Sequence, residues 1–201
     1  QLVFAVLLAA FTYISLQKLF HPGWLFGLFV VMIPFYLILT VARSHNIEYL
    51  NGIFEMKNAS MPIFVSQPYI YIANNYDNFN FLVGALPGHS FGLKGLFPLW
   101  ALSGLKFFFP QLINFPIYVD KTELTTLTLF YDSYYDFGWI GVLLFSCILG
   151  AIAYILVVKL REMRNPLGYL LYAQFAAYLM LSFFTTWFSN TTTWFYLILT
   201  G

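Results

Sequence analysis

The stretch Thr125–Gly141, TTLTLFYDSYYDFGWIG, sets charged and aromatic side chains directly against the start of a long apolar run. Its polar part contains Tyr131, Asp132, Tyr134, Tyr135 and Asp136. The residues from 137 to 158 carry no charge, and a helix needs about 20 apolar residues to cross the hydrocarbon core of a bilayer. The stretch therefore predicts the point where a polar region of the chain enters a membrane-spanning helix.

Composition places the whole chain in a membrane. Its 201 residues are 61% hydrophobic, 22% aromatic and 8% charged, whereas a typical soluble domain has about 25% charged residues. The net charge of +1 argues against a nucleic-acid partner. The single cysteine, Cys147, lies in an apolar run and is expected to be a small packing residue. The predicted fold class is an all-α, polytopic integral membrane protein.

The predicted organisation is one membrane domain with a large loop on one side. Membrane-spanning helices are expected over about 2–20, 23–42, 137–158 and 167–188. The loop, about 44–136, carries seven carboxylates and four lysines. Short helices over Pro68–Leu86 and Leu99–Phe109 are expected at the membrane interface, where aromatic rings with a polar edge are favoured. The chain lacks an initial Met and stops in an apolar run, so we expect residues 1–201 to be a fragment of a longer protein.

The distribution of charge predicts the orientation. Lys18 and the cluster at 159–164 together carry +3, whereas the loop carries −3. Because an excess of Lys and Arg marks the cytoplasmic side, the loop is expected to face the periplasm or the cell exterior.

Arg43 ends the second predicted helix and has two interpretations. It could anchor the helix end by extending its charged head to the interface. Alternatively it could bind an anion, since ionisable groups at a membrane edge are candidates for function and guanidinium fits phosphate oxygens bidentately. His45 and Lys57 could join such a site, although His45 alone is more typical of an interfacial polar residue.

Two further groups of polar residues lie in the loop. Asn75 and Asp77 belong to an asparagine-rich run flanked by tyrosines, which suits either hydrogen bonds to nearby backbone or contacts with sugar hydroxyls. His89 and Lys94 lie in glycine-containing turns, where the histidine could accept a proton near neutral pH. The three histidines lack metal-type spacing, and no nucleotide-binding or serine-hydrolase motif is present, so no metal and no cofactor are expected.

Asp132 and Asp136 are four positions apart and would share one face of a helix. Either could stabilise a helix N-terminus, and Asp136 fits that interpretation well. Alternatively, one of them could accept a proton from an attacking hydroxyl or orient Arg43, because a poorly hydrated carboxylate is a better base.

The segment TLTLFYDSYYDFGWIGVLLFSCILG resembles the bacterial oligosaccharide repeat-unit polymerases, the Wzy-type O-antigen and capsule polymerases. In that family a threonine- and tyrosine-rich stretch leads to a Tyr-Asp-Phe-Gly opening of a transmembrane helix. The segment LILTVARSHN is similar to the family's helix end with an arginine and a small residue, although Ser44 stands where glycine is common. The resemblance covers about residues 25–160.

The resemblance implies a GT-C-like membrane glycosyltransferase of the bacterial inner membrane. Such enzymes transfer a growing glycan from undecaprenyl pyrophosphate to a hydroxyl of a new lipid-linked repeat unit, without a metal, and a flippase and a chain-length regulator are possible partners. The proposed substrate-binding residues are Arg43, His45, Lys94, Asn75, Tyr131 and Tyr135. The proposed catalytic residues are Asp132 and Asp136, with Asp77 and His89 as further candidates.

Three alternatives remain open at this point. The first is a related transferase, such as an O-antigen ligase. The second is a flippase or transport subunit for lipid-linked sugars, which should carry ionisable residues at mid-membrane depth; the predicted helix centres have essentially none. The third is a structural membrane partner whose loop polarity has no catalytic meaning.

Overall fold

The structure is a computed structural model, and all the regular secondary structure it describes is helical. It describes residues 7–13, 47–58, 60–160, 162, 165–183 and 185–201, with single positions at 23, 26, 27, 30, 34 and 38. Residues 7–13 are helical, and the later α-helices are α1 Ile47–Ile53, α2 Ile63–Ala85, α3 Phe97–Leu102, α4 Tyr131–Leu160, α5 Pro166–Met180 and α6 Thr191–Thr200. Single 3-10 turns occur at Leu105–Phe107, Pro110–Leu112 and Trp187–Ser189. The predicted all-α class is confirmed for these described residues.

One helix in the described part of the chain, Tyr131–Lys159, is long and apolar enough to cross a membrane by length and composition. The helix predicted over 137–158 lies within it. The expected spans over 2–20 and 23–42 fall mostly outside the described residues. The expected helix over 167–188 is instead α5, which ends at Met180, because a polar segment containing Thr186, Ser189 and Asn190 follows.

The loop predicted between 44 and 136 contains three of the helices. The short helix expected over Pro68–Leu86 is α2, which begins earlier, at Ile63. The one expected over Leu99–Phe109 is divided into α3 and a 3-10 turn at Leu105–Phe107, with Gly104 at φ 76° between them.

A glycine bends α4 sharply near its start. Gly138 has φ 62° and ψ −147°, a conformation that side chains with a Cβ disfavour, and it divides the helix into residues 131–137 and 139–160. A Cβ on Gly141 would overlap the carbonyl oxygen of Ser133, whereas a straight helix would separate these positions by about 12 Å. The first two turns therefore fold back against the apolar part, and residues 139–159 alone would extend about 31 Å, close to the thickness of a hydrocarbon core.

The helices pack in a chain of neighbours around the start of α4. Helix α2 contacts α4, α4 contacts α5, α5 contacts α6, and α6 contacts α3. The core at the bend is aromatic: Tyr131, Tyr134 and Tyr135 pack with Leu82 of α2. A second core joins Leu149 and Leu156 of α4 to α5. These three tyrosines are thus core residues, and their packing fixes the positions of Asp132 and Asp136.

Candidate functional site

The centre of the site is an ion pair between Asp132 and Lys94. Asp132 lies in the first turn of α4, and Lys94 lies in the turn that precedes α3. Their Oδ1 and Nζ atoms are 3.6 Å apart, and the two side chains are 8% and 13% exposed. The hydroxyls of Ser189 and Thr186 help to stabilise the charged form of the same carboxylate. Three segments distant in sequence therefore meet at Asp132.

Two tyrosine rings also contact the ammonium group of Lys94. Lys94 Nζ lies 4.7 Å from the ring centroid of Tyr135 and 5.6 Å from that of Tyr131, within the range of a cation–π interaction. The Tyr131 hydroxyl donates to the carbonyl oxygen of Tyr118 and accepts from its N–H, both at 2.8 Å. Since Tyr131 is fully buried and its hydroxyl is taken by backbone, this predicted substrate contact reaches the site through its ring alone.

Asp136 binds the backbone of the turn that carries Lys94. Its carboxylate accepts hydrogen bonds from the Ser90 hydroxyl, from Lys94 N–H at 3.1 Å and from Gly95 N–H at 2.7 Å. It lies inside α4 and is 3% exposed, so it organises another segment rather than the first turn of its own helix. A Cβ on Gly95 would lie 2.6 Å from Asp136 Oδ2, so the close approach requires glycine.

His89 lies over the bend in α4. Its Nδ1 is 3.3 Å from the carbonyl oxygen of Tyr135, which the N–H tautomer at that nitrogen would satisfy as donor. Its ring meets Tyr134 edge to face at 6.0 Å. A Cβ on Gly138 would lie 3.0 Å from His89 Nε2. His89 is exposed. It directly precedes the turn that carries Lys94, the partner of Asp132.

Two buried asparagines of α2, Asn75 and Asn78, donate hydrogen bonds to backbone. Asn75 is fully buried and donates to the carbonyl oxygens of Tyr71 and, at 3.0 Å, Phe183. Asn78 donates to the carbonyl oxygens of Leu124 and Thr126 at 3.1 and 2.9 Å. This agrees with the backbone-bonding interpretation, although most of the partners are remote in sequence. Asn75 is not brought together with the ion pair.

Asp77 lies apart from the ion pair as well. It is exposed and lines a polar cavity of about 430 Å³ together with Tyr69, Asp120 and Lys121. Of the predicted site residues that the structure describes, Asp77 and Asn75 thus lie apart from the ion pair, and Arg43 and His45 fall outside the described residues.

A larger apolar cavity opens beside the ion pair. Its volume is about 710 Å³, and α4, α5 and α6 supply its walls. Asp132, Ser133, Asp136 and Ser189 form its polar end, and the rest is lined by side chains such as Leu149, Phe175 and Leu197. The arrangement suits a molecule with a polar head and a hydrocarbon tail.

Sequence reasoning missed the hydroxyls of Ser90, Thr186 and Ser189. The only signal for the last two was the polar interruption TTWFSN within an otherwise apolar run. In the ranges that the structure describes, no three His, Cys, Asp or Glu side chains come close enough to hold a metal ion.

Comparison with protein-family models, with curated proteins and with solved structures finds no match to this chain. The class of protein is therefore assigned from the fold and the site alone. They define a helical protein with a largely buried ion pair, whose carboxylate lies at the polar end of an apolar cavity.

Proposed function

We propose that this chain is part of a membrane glycosyltransferase that polymerises undecaprenyl-pyrophosphate-linked oligosaccharide repeat units into O-antigen or capsular polysaccharide. The reaction would take place at the outer face of a bacterial cytoplasmic membrane. The observation that carries the proposal is that Asp132, at the polar end of the apolar cavity, is paired with Lys94.

The surface of α4 supports a membrane location. Its most apolar window has a mean hydropathy of 2.6, and only 11% of that window is buried inside the protein. A core helix of a soluble protein would be mostly buried, because exposing apolar surface to water is unfavourable. Lipid around residues 139–159 would remove that cost. We also propose the multi-pass topology that the sequence predicts.

The cavity matches the amphipathic character of the substrate. The first isoprene units of the lipid carrier would lie among the apolar side chains of α4, α5 and α6, and the rest of the carrier would extend into the bilayer. This arrangement brings the pyrophosphate to the polar end, beside Asp132 and Lys94. A small number of polar groups at one end of an apolar pocket is the usual design of a site that orients its ligand.

The ion pair gives the two charged groups separate roles. Pyrophosphate is an anion and would compete with Asp132 for the ammonium of Lys94, leaving the carboxylate with one partner fewer. The acceptor hydroxyl would then transfer its proton to Asp132 as its oxygen attacks the anomeric carbon of the donor sugar. The bond from that carbon to the phosphate oxygen breaks, and Lys94 stabilises the charge on the departing lipid pyrophosphate. Arg43, matched by resemblance, would be a second cation.

Asp136 would act as a positioning residue in this scheme. Its three hydrogen bonds set the backbone of the turn that carries Lys94, and a displacement of about 1 Å at such a site is costly to catalysis.

The direct test uses purified full-length protein with a lipid-linked repeat unit. A gel ladder of progressively longer lipid-linked glycans supports the proposal, provided that Asp132→Asn protein gives none. Transfer of one glycan to a different lipid would identify a ligase. Movement of the unit across a vesicle bilayer with no ladder would identify a flippase, and either result would reject the polymerase.

A further inference from the structure

An exposed apolar surface lies on residues 97–113, which follow the turn that carries Lys94 and precede α4. We call it the 97–113 patch. Phe107 and Phe108 are 78% and 80% exposed. The other large apolar side chains exposed on it are Leu99, Leu102, Leu105, Phe109 and Ile113. So many exposed large apolar side chains in one short segment are uncommon on a surface that faces water, and such surfaces mark sites of interaction.

The charge of this segment favours a lipid surface. Between Gly95 and Val119 the only charged residue is Lys106, and there is no carboxylate. Lys106 Nζ lies 5.1 Å from the ring centroid of Phe107, so the cation and the exposed rings occupy one place. Apolar side chains with an adjacent cation and no acidic residue are typical of segments that lie in the headgroup region of an anionic bilayer.

The turn that precedes the patch is joined to the start of the apolar part of α4. The Phe91 N–H donates to the Asp136 carbonyl oxygen at 3.0 Å, and the rings of Phe91 and Phe137 are 6.3 Å apart. Just beyond the bend, Trp139 and Ile140 are 63% and 69% exposed. The apolar surface therefore continues from the segment before α3 onto the predicted membrane-spanning residues.

We infer that the 97–113 patch is inserted into the outer leaflet of the bilayer, with Phe107 and Phe108 below the phosphate groups and Lys106 among them. The inference rests on the membrane location in the proposed function and deepens it. Because the Lys94 turn immediately precedes the patch, insertion would hold Lys94 at headgroup depth, where the pyrophosphate of a lipid-linked substrate lies.

Nitroxide labelling of single cysteines tests the depth of the patch. The full chain is reconstituted into vesicles of phosphatidylcholine and phosphatidylglycerol, with a label on Phe108→Cys or Phe107→Cys in a Cys147→Ser background. Thr122→Cys in the same background is the control for water, because Thr122 is exposed in a loop between Asp120 and Glu123. Native Cys147, exposed on the apolar part of α4, is the control for lipid. Relaxation by oxygen, which concentrates in lipid, is compared with relaxation by a water-soluble nickel chelate.

The expected result is that both phenylalanine positions are relaxed more by oxygen than by the chelate, like Cys147 and unlike Thr122. Stronger relaxation by the chelate at both positions would place the patch in water and overturn the inference. Weak relaxation by both reagents would place the patch against protein and overturn it equally. If the label on Cys147 is relaxed mainly by the chelate, the membrane location in the proposed function is rejected. If Cys147 is relaxed mainly by oxygen but positions 107 and 108 are not, only the insertion of the patch is rejected.

Discussion

The Asp136 carboxylate accepts a hydrogen bond from the backbone N–H of Lys94. The Asp132 carboxylate, one helical turn earlier on α4, forms an ion pair with the ammonium group of the same lysine. The backbone hydrogen bond is 3.1 Å long and the ion pair 3.6 Å. The two aspartates thus share one face of a helix, as their spacing predicts, and they use it to hold a single lysine from another segment. Their roles differ, because the Asp136 carboxylate accepts three hydrogen bonds from the Ser90–Gly95 turn, whereas the Asp132 carboxylate pairs with the ammonium group of Lys94.

Asp132→Asn should remove chain extension while the protein still folds. The amide keeps the shape of the side chain but cannot take up a proton from the acceptor, and general-base groups contribute about 10²–10⁴-fold to a rate. We expect the glycan ladder to fall by at least about a hundredfold. Lys94 would lose its ionic partner, so the melting temperature of the double variant Lys94→Gln/Asp132→Asn, compared with that of Asp132→Asn, is the control for destabilisation by an unpaired charge. A full-length ladder from Asp132→Asn would exclude the carboxylate as the base.

Asp136→Asn should act first on the order of the turn at Ser90–Gly95. Hydrogen bonds to a charged group contribute about 1.5–3 kcal/mol each, and the amide cannot accept all of those that the carboxylate accepts. We expect faster hydrogen exchange at the amides of Lys94 and Gly95 and a lower melting temperature. Ser90→Ala, which removes one donor, should show the same changes more weakly. Unchanged exchange at both amides in Asp136→Asn would contradict the positioning role.

Gly95→Ala should destabilise the same turn without altering any polar group. The added Cβ would lie 2.6 Å from Asp136 Oδ2, so the turn or the carboxylate must move, and overpacking of this kind costs about 1–3 kcal/mol. Gly150→Ala is the matched control, since nothing lies within 4 Å of a Cβ at that position and alanine favours helix. Thermal unfolding in detergent should separate the two variants, and equal melting temperatures would show that the turn is not tightly held.

The sequence predicts the apolar part of α4 well, because the uncharged run from 137 to 158 is long enough to cross a bilayer and is typical of a membrane-spanning helix. The beginning of the helix at Tyr131 could not be predicted, since YDSYYD suits a loop as well as a helix turn. The bend at Gly138 could not be predicted either, because a single glycine in an apolar run is compatible with a straight helix. Only the positive φ of Gly138 in the structure reveals the bend.

The site was predicted as a set of residue types but not as a set of contacts. The sequence singles out Asp132, Asp136 and Lys94 but predicts the aspartates near Arg43, whereas their partners in the described structure lie on the Ser90–Gly95 turn. Such pairing depends on tertiary packing about 40 residues away along the chain, which no local pattern encodes. Asn75 illustrates the same point, because its position in the sequence does not reveal that remote backbone accepts a hydrogen bond from its amide.

Tyr131→Phe should lower stability and leave the transfer reaction intact. The change removes a hydroxyl that donates to and accepts from the Tyr118 backbone at 2.8 Å, so an N–H and a carbonyl lose their partner at a cost of about 1–3 kcal/mol. The ring that faces Lys94 at 5.6 Å is retained. We therefore expect a lower melting temperature with an unchanged KM for the lipid-linked acceptor at a temperature where both proteins are folded. A raised KM with an unchanged melting temperature would instead identify Tyr131 as a direct sugar contact. Tyr131→Leu, which also removes the ring, is the companion variant, and it should weaken the hold on Lys94 and reduce the ladder.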